Sequence, residues 1–217
     1  MPPAHDDVSA AHDPDEAAPA LAVAPRKRPR PGERRLQILQ ALAQMLEQPG
    51  TERVTTAALA ARLQVSEAAL YRHFASKAQM FEALIDFVEG SVFGLIQQIN
   101  ERGPTGAKGA ARIVAMVLQF GEKNPGMTRV MVGDALVFEH ERLQQRMNQL
   151  FDKLEAALRQ CLRDAAPAAD TLAPDASAQA TAAVLAAFVV GRLQRFARSG
   201  FRRAPTEQLD ACLARML

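Results

Sequence analysis

The chain has 217 residues, 48% of them hydrophobic, and a formal net charge of +2. That length exceeds one minimal domain and fits a small head joined to a larger body. A charge so near neutral excludes a uniformly basic surface, and a mean hydropathy of −0.10 is that of a globular chain.

Residues 1–32 are rich in Ala, Pro and Asp, a composition that predicts a disordered extension. Within residues 1–25 the charged side chains are Asp6, Asp7, Asp13, Asp15 and Glu16, all acidic. Residues 26–35, RKRPRPGERR, then carry six basic side chains against Glu33 alone. Such an arm can follow a nucleic-acid backbone or enter a minor groove, or be a solvated tail. The N-terminus lacks the basic-then-apolar pattern of a signal peptide, so export is not expected.

Leu36, Leu39, Leu42, Ala43 and Leu46 recur at helical spacing up to the Pro49-Gly50 stop, predicting a first helix from about residue 34. Residues 55–74, TTAALAARLQVSEAALYRHF, read as two short helices about a tight turn. Ser76 then opens a long helix from Lys77 to about Arg102, with the stripe Phe81, Leu84, Ile85, Val88, Val92, Ile96 and Ile99. GPTGAKG (103–109) lacks the terminal Gly-Lys-Ser/Thr of a phosphate loop and reads as a turn. Further helices are predicted at 107–123, 126–132, 134–165, 177–199 and 206–215, and no strand-like alternation appears. The fold class is all-α.

The apolar run around Ala182–Gly191 is about half of the roughly 20 residues a membrane span requires. Cys161 and Cys212 have neither metal-ligand nor redox spacing and read as reduced cytosolic thiols. His140, between Glu139 and Glu141, has no second ligand at helical spacing and reads as part of a solvated face, so no metal site is expected. No serine has a nucleophile-elbow context, and catalytic residues, enzyme activity and cofactors are not expected.

The 55–74 segment has the pattern of a helix-turn-helix that enters a DNA major groove. Thr55 or Thr56 can cap its first helix, leaving the other hydroxyl for a phosphate. Leu59, Leu63, Val65 and Leu70 supply the wedge between the helices, and Ser66 caps the second. Ala68 and Ala69 permit close approach to base edges, with thymine methyls as contacts. Tyr71, Arg72, His73 and Lys77 offer a hydroxyl and cations toward phosphate. Glu67 can accept from a cytosine amine, or serve as an acid at a helix N-terminus, the role its position favours. Gln64 occupies a turn position where glycine is common, and a left-handed Gln costs about 1 kcal/mol. The competing reading is an ordinary helical crossing with Tyr71 in a core.

On these residues the stretch Arg34–Leu84 resembles the DNA-binding domain of TetR-family regulators, with ALYRHFASK matching the recognition helix and its exit. The resemblance extends into the body, through FGEKNPGMTRVMVGDALVFEHERLQQRMNQLF (120–151) and RFARSGFRRAPT (195–206), and there it is to the family's nucleoid occlusion factors. It covers most of residues 33–210, with the 1–32 extension outside it, and implies a DNA-binding head (33–78) and a regulatory and dimerisation body (79–217). It further implies a cytoplasmic, nucleoid-associated homodimer that binds palindromic sites in double-stranded DNA. While bound, such a dimer engages the C-terminal tail of the tubulin-like division protein FtsZ and blocks septum assembly over the nucleoid. Thr55, Thr56, Ser66, Tyr71, His73 and Lys77 take the DNA-contact roles by the same resemblance, and the FtsZ tail lies between the long linking helix and the next one.

In the 177–199 helix a small-residue stripe, Ala180, Ala183, Ala187 and Gly191, runs beside Val184, Phe188 and Phe196. It reads as a two-fold seam in preference to a central buried helix. Phe87 sits about 120° round the linking helix from the stripe of Phe81, Val88 and Val92. With Phe120, Lys123 and Asn124 it can line an apolar groove with a cationic edge for an acidic-apolar peptide, or simply pack on the next helix. Leu95 stands where the resemblance leads one to expect a basic residue. The rival function is a ligand-responsive repressor with Met116, Met127, Met131 and Phe138 lining a cavity. Met and Phe at helical spacing are more often core, and no small-molecule effector is expected.

Overall fold

The computed structural model describes residues 32–48, 53–164 and 174–217. The expected disorder of the N-terminal extension and most of its basic arm therefore lie outside the described residues. Nine α-helices are described, with no strand among these residues: α1 (Glu33–Leu46), α2 (Thr56–Leu63), α3 (Glu67–Tyr71), α4 (Lys77–Arg102), α5 (Gly106–Lys123), α6 (Pro125–Met131), α7 (Glu141–Arg163), α8 (Pro174–Arg198) and α9 (Leu209–Met216).

Apolar spacing decides which faces turn inward. In α1 the buried residues are Ile38, Ala41, Leu42 and Leu46; in α4 they run from Met80 and Phe81 through Val88 to Ile96. Both sets belong to one continuous core with Leu59, Leu70 and Phe74 of the head and with Val117, Leu154 and Leu193 of the body. Because α4 passes unbroken through residues 78 and 79, the head is not a separate globule. Its core continues into that of the body.

Two contacts set the head's orientation. A Cβ on Gly126 would sit 2.2 Å from the carbonyl oxygen of Ala43, so α6 lies nearly backbone-to-backbone on α1. Across the α4–α7 pair, Arg142 meets Glu82 at 2.7 Å, and Arg146 meets Asp86 at 2.9 Å and Glu89 at 2.7 Å. Burial disfavours the charge of Arg146, but its hydrogen bonds to Asp86 and Glu89 outweigh that and raise its pKa.

The structure corrects the expected 134–165 helix. Gly133 takes φ 83°, only Asp134–Leu136 forms a 3-10 turn, and α7 begins at Glu141. His140 is its N-cap, Nδ1 accepting from the N–H of Arg142 at 3.3 Å, so this side chain ends a loop rather than decorating a helical face. The last helix also starts later than residue 206, at Leu209, after Gln208 in a left-handed conformation (φ 52°).

Helix α8 corrects the membrane-length expectation. Residues Ala176–Arg198 are long and apolar enough to cross a bilayer by length and composition, with a mean hydropathy of 1.4 over their most apolar 18 residues, because alanines and a glycine extend the apolar run. Its inner residues Ala182, Leu185, Val189 and Leu193 are buried in the bundle. Outward, Val184 is 53% exposed and Ala180 and Ala187 are exposed, whereas Phe196 is in the core beside Phe201. Cys161 and Cys212 are both free; burial pushes the Cys161 thiol above its usual pKa.

Candidate nucleic-acid interface

Local caps build the helix pair. Thr55 Oγ1 accepts from the N–H of Ala58 at 3.1 Å, and Ser66 Oγ accepts from that of Ala69 at 3.2 Å. Capping uses a lone pair and leaves each hydroxyl proton available for a phosphate oxygen. Gln64 closes α2 in the left-handed region (φ 55°), with the N–H groups of Gln64 and Val65 returning to Ala61 and Ala60 at 3.0 Å. That geometry turns the chain sharply into α3. Leu59 and Leu70 are buried in the wedge, and Leu63 and Val65 pack against it half-buried.

The sequence left open which threonine caps. Thr56 instead donates its hydroxyl to Glu67 Oε2 at 2.6 Å. A phosphate offers only acceptors, so in this arrangement Thr56 has no free proton for it. The same bond ties the start of α2 to the start of α3 and holds Glu67 at a helix N-terminus, the role its position favoured.

On α3 and just beyond it Glu67, Ala68, Tyr71, Arg72 and His73 are exposed, Ala69 is half-buried, and Leu70 and Phe74 point inward. Tyr71 is 45% exposed, which disfavours its reading as a core residue. Lys77 opens α4 just past the recognition segment; its ammonium pairs with Glu139, and its side chain is 21% exposed. It joins the first turn of α4 to the loop before α7.

Sequence reasoning missed Arg35. Its Nη1 donates to the carbonyl of His73 at 2.7 Å, and its guanidinium lies 3.9 Å over the Phe74 ring. One residue of α1 thereby fixes the end of the recognition segment from a distance of 38 positions in the chain. We expect Arg35→Met, which keeps an apolar stem, to weaken DNA binding about 5- to 20-fold, from one hydrogen bond and one cation–π contact. Positioning requires that loss to persist at high salt. A loss that vanishes there, with a salt slope lower by about one, marks a plain phosphate contact instead.

The residues proposed for a partner groove lie together. The Phe87 and Phe120 rings are 6.5 Å apart and tilted by 38°, with Phe87 51% exposed and Phe120 half-buried. Lys123 is exposed, and the Asn124 amide donates to the carbonyl of Phe120 at 2.7 Å, leaving its oxygen to accept. Gly90 and Gly94 lie on the exposed side of α4 with nothing within 4 Å of an added Cβ, which bares the helix backbone in line with Phe87. Leu95, 38% exposed, adds apolar surface in place of the expected charge.

The rival cavity residues do not converge on one chamber. Met127 and Met131 are buried in the core, Met116 packs half-buried against it, and Phe138 is 61% exposed on the loop before α7. Among the described residues no group of three His, Cys, Asp or Glu is placed to hold a metal ion.

Comparison with known proteins agrees with this architecture. The family described as bacterial regulatory proteins, tetR family, matches residues 38–84, and the SlmA-like form of the tetracyclin repressor-like C-terminal domain matches 109–216. The nucleoid occlusion factor SlmA of Photobacterium profundum is 48% identical over 178 residues, covering 82% of this chain and 90% of the relative. That of Yersinia enterocolitica is 49% identical over 180 residues with the same coverage. Among solved structures, a transcriptional regulator from Aquifex aeolicus superposes with a TM-score of 0.67 at 15% identity, covering 84% of this chain and 99% of that one. FadR from Bacillus subtilis, solved with stearoyl-CoA, gives 0.60 at 13% identity, covering 83% and 96%. These two share the fold alone. Both halves of the chain and its sustained identity to curated relatives lead to one assignment: it belongs to the TetR family of DNA-binding regulators, in the branch of the SlmA nucleoid occlusion factors.

Proposed function

We propose that the protein is a DNA-bound nucleoid occlusion factor: a homodimer that holds palindromic chromosomal sites and, from there, antagonises FtsZ ring assembly. The observation that carries this reading is the 49% identity to nucleoid occlusion factors across head and body together, since TetR-type heads alone serve many regulators. In this account Thr55, Ser66, Tyr71, Arg72 and His73 contact phosphate and sugar, and Ala68 and Ala69 admit the recognition segment to the major groove. Thr56, Glu67 and Lys77 shape and anchor that surface. The dimer forms along the outward stripe of α8, whose two-fold symmetry matches a palindrome. The protein is placed on the nucleoid in the cytoplasm, and no cofactor or catalysis enters.

The FtsZ tail is assigned to the trough between α4 and α5. Phe87 and Phe120 take its apolar side chains, Gly90 and Gly94 let its backbone approach, and Lys123 faces its acidic residues. Phe87→Ala removes an exposed ring, so folding and DNA affinity are expected to stay within about twofold of the parent. FtsZ tail peptide binding to the DNA-bound protein, read by fluorescence anisotropy, is expected to weaken at least tenfold. Unchanged peptide affinity in that variant would remove the trough from the account.

A further inference from the structure

The head is left with cations that nothing in the fold neutralises. Arg35, Arg53 and Arg72 are exposed, and none of them forms an ion pair among the described residues. Glu67, the acid that opens α3, already accepts from Thr56. That bond holds the start of α2 against the start of α3, so Arg53, three residues before α2, borders the recognition surface.

The same chain carries an unbalanced set of acids. Asp6, Asp7, Asp13, Asp15 and Glu16 stand in a stretch without Lys or Arg, outside the described residues. The family models match residues 38–84 and 109–216, so this segment belongs to neither matched region. Where it joins the fold decides what it can reach. Helix α1 begins at Glu33, and Arg35, two residues on, donates to the carbonyl of His73. The extension therefore enters the fold beside the end of the recognition segment. Glu16 lies 16 residues before Gly32, and a chain of that length reaches at most about 55 Å. That is several times the roughly 10–12 Å diameter of a helix.

From this placement we infer that the acidic segment 6–16 docks on the recognition face of its own head, with its carboxylates against Arg35, Arg53 and Arg72. Carboxylates offer a guanidinium fork the same paired acceptors that a phosphate does. A short tether holds the segment at an effective concentration in the millimolar range, so a weak contact is enough to cover the face. The contact is ionic and exposed, and salt weakens it. DNA, with a far denser row of charges, displaces it. Covering the face most of the time lowers the apparent affinity for DNA by the fraction left open. Only that competition rests on the DNA-contact reading of the face; the contact itself does not.

Tyr71 reports on the contact directly, being the one tyrosine in a chain without tryptophan and 45% exposed on the recognition segment. The test compares the full chain with the full-length variant D6N/D7N/D13N/D15N/E16Q. Acrylamide quenching of tyrosine fluorescence reads the covering, and anisotropy with a mixed-sequence DNA duplex reads the competition. At low salt the variant is expected to quench about twofold more steeply and to bind the duplex about 5- to 20-fold more tightly. The quenching difference is expected to vanish at about 0.5 M salt. Steeper quenching with unchanged duplex affinity supports the contact and places the error in the DNA-contact face. Unchanged quenching overturns the inference even where duplex binding tightens, because acids that merely repel DNA, or that pair with RKRPR, leave Tyr71 bare.

Discussion

Phe74→Ala is expected to lower stability by about 3–5 kcal/mol and the melting temperature by on the order of 10 °C. Phe74 is 1% exposed, just beyond α3, and packs in the same core as Leu59 and Leu70. Truncating it leaves a cavity where the head has few other apolar groups with which to collapse. It also removes the ring beneath the Arg35 guanidinium, so the carbonyl of His73 loses an oriented donor. DNA binding is therefore expected to fall further than stability alone requires. Phe74→Leu, which retains most of the buried volume, separates the two effects. A thermal melt of the alanine variant within about 2 °C of the parent would show that the ring does not hold the head.

Val184→Glu is the second large effect, and it is expected to leave the protomer intact. Val184 is 53% exposed, and an acid there costs the single chain little, within about 0.5 kcal/mol. In a two-fold seam the same substitution places two carboxylates near each other, out of water and unpaired, against the small stripe of Ala180, Ala187 and Gly191. That costs several kcal/mol. Sedimentation at micromolar concentration is expected to show monomers, the dimer dissociation constant having risen at least 100-fold. Affinity for a palindromic site is expected to fall with it, because each protomer then reads one half-site alone. A variant that sediments as a dimer with unchanged DNA affinity would move the seam away from α8.

The parts of this molecule that were legible in sequence are those set by neighbours in the chain. Thr55, Ser66 and Ser76 cap α2, α3 and α4 through the N–H three residues on, a relation that spacing alone reveals. The left-handed Gln64 was legible for the same reason, since the turn between two such caps has little other freedom. The cost of replacing glycine there did not alter the turn. Contacts across the fold were not legible. Nothing in the pattern around Lys77 announces Glu139, 62 residues away, nor does α1 announce that Arg35 reaches the recognition segment. Residues 134–140 misled because DALVFEH has helix-compatible composition. Gly133 in a left-handed turn and the His140 cap divide it from α7, leaving Val137 and Phe138 exposed. In the proposed trough, Phe87 stood out by helical angle and Phe120 by its place at the end of the next helix, while the bare backbone at Gly90 and Gly94 is visible only in the fold, where nothing covers it.

The division of labour between head and body follows from the same contacts. A continuous core through α4, the backbone approach of Gly126 to Ala43 and the α4–α7 ion pairs join the recognition segment to the trough-bearing body as one unit. In such a unit DNA positions whatever the body presents. A repressor needs a few operators beside the genes it controls, whereas an inhibitor of division placed by the chromosome needs many, spread where septation must be prevented. Genome-wide mapping of the bound sites in the source cell distinguishes them directly. The account predicts many dispersed palindromic sites that thin out toward the replication terminus; binding confined to a single promoter beside the protein's own gene would contradict it.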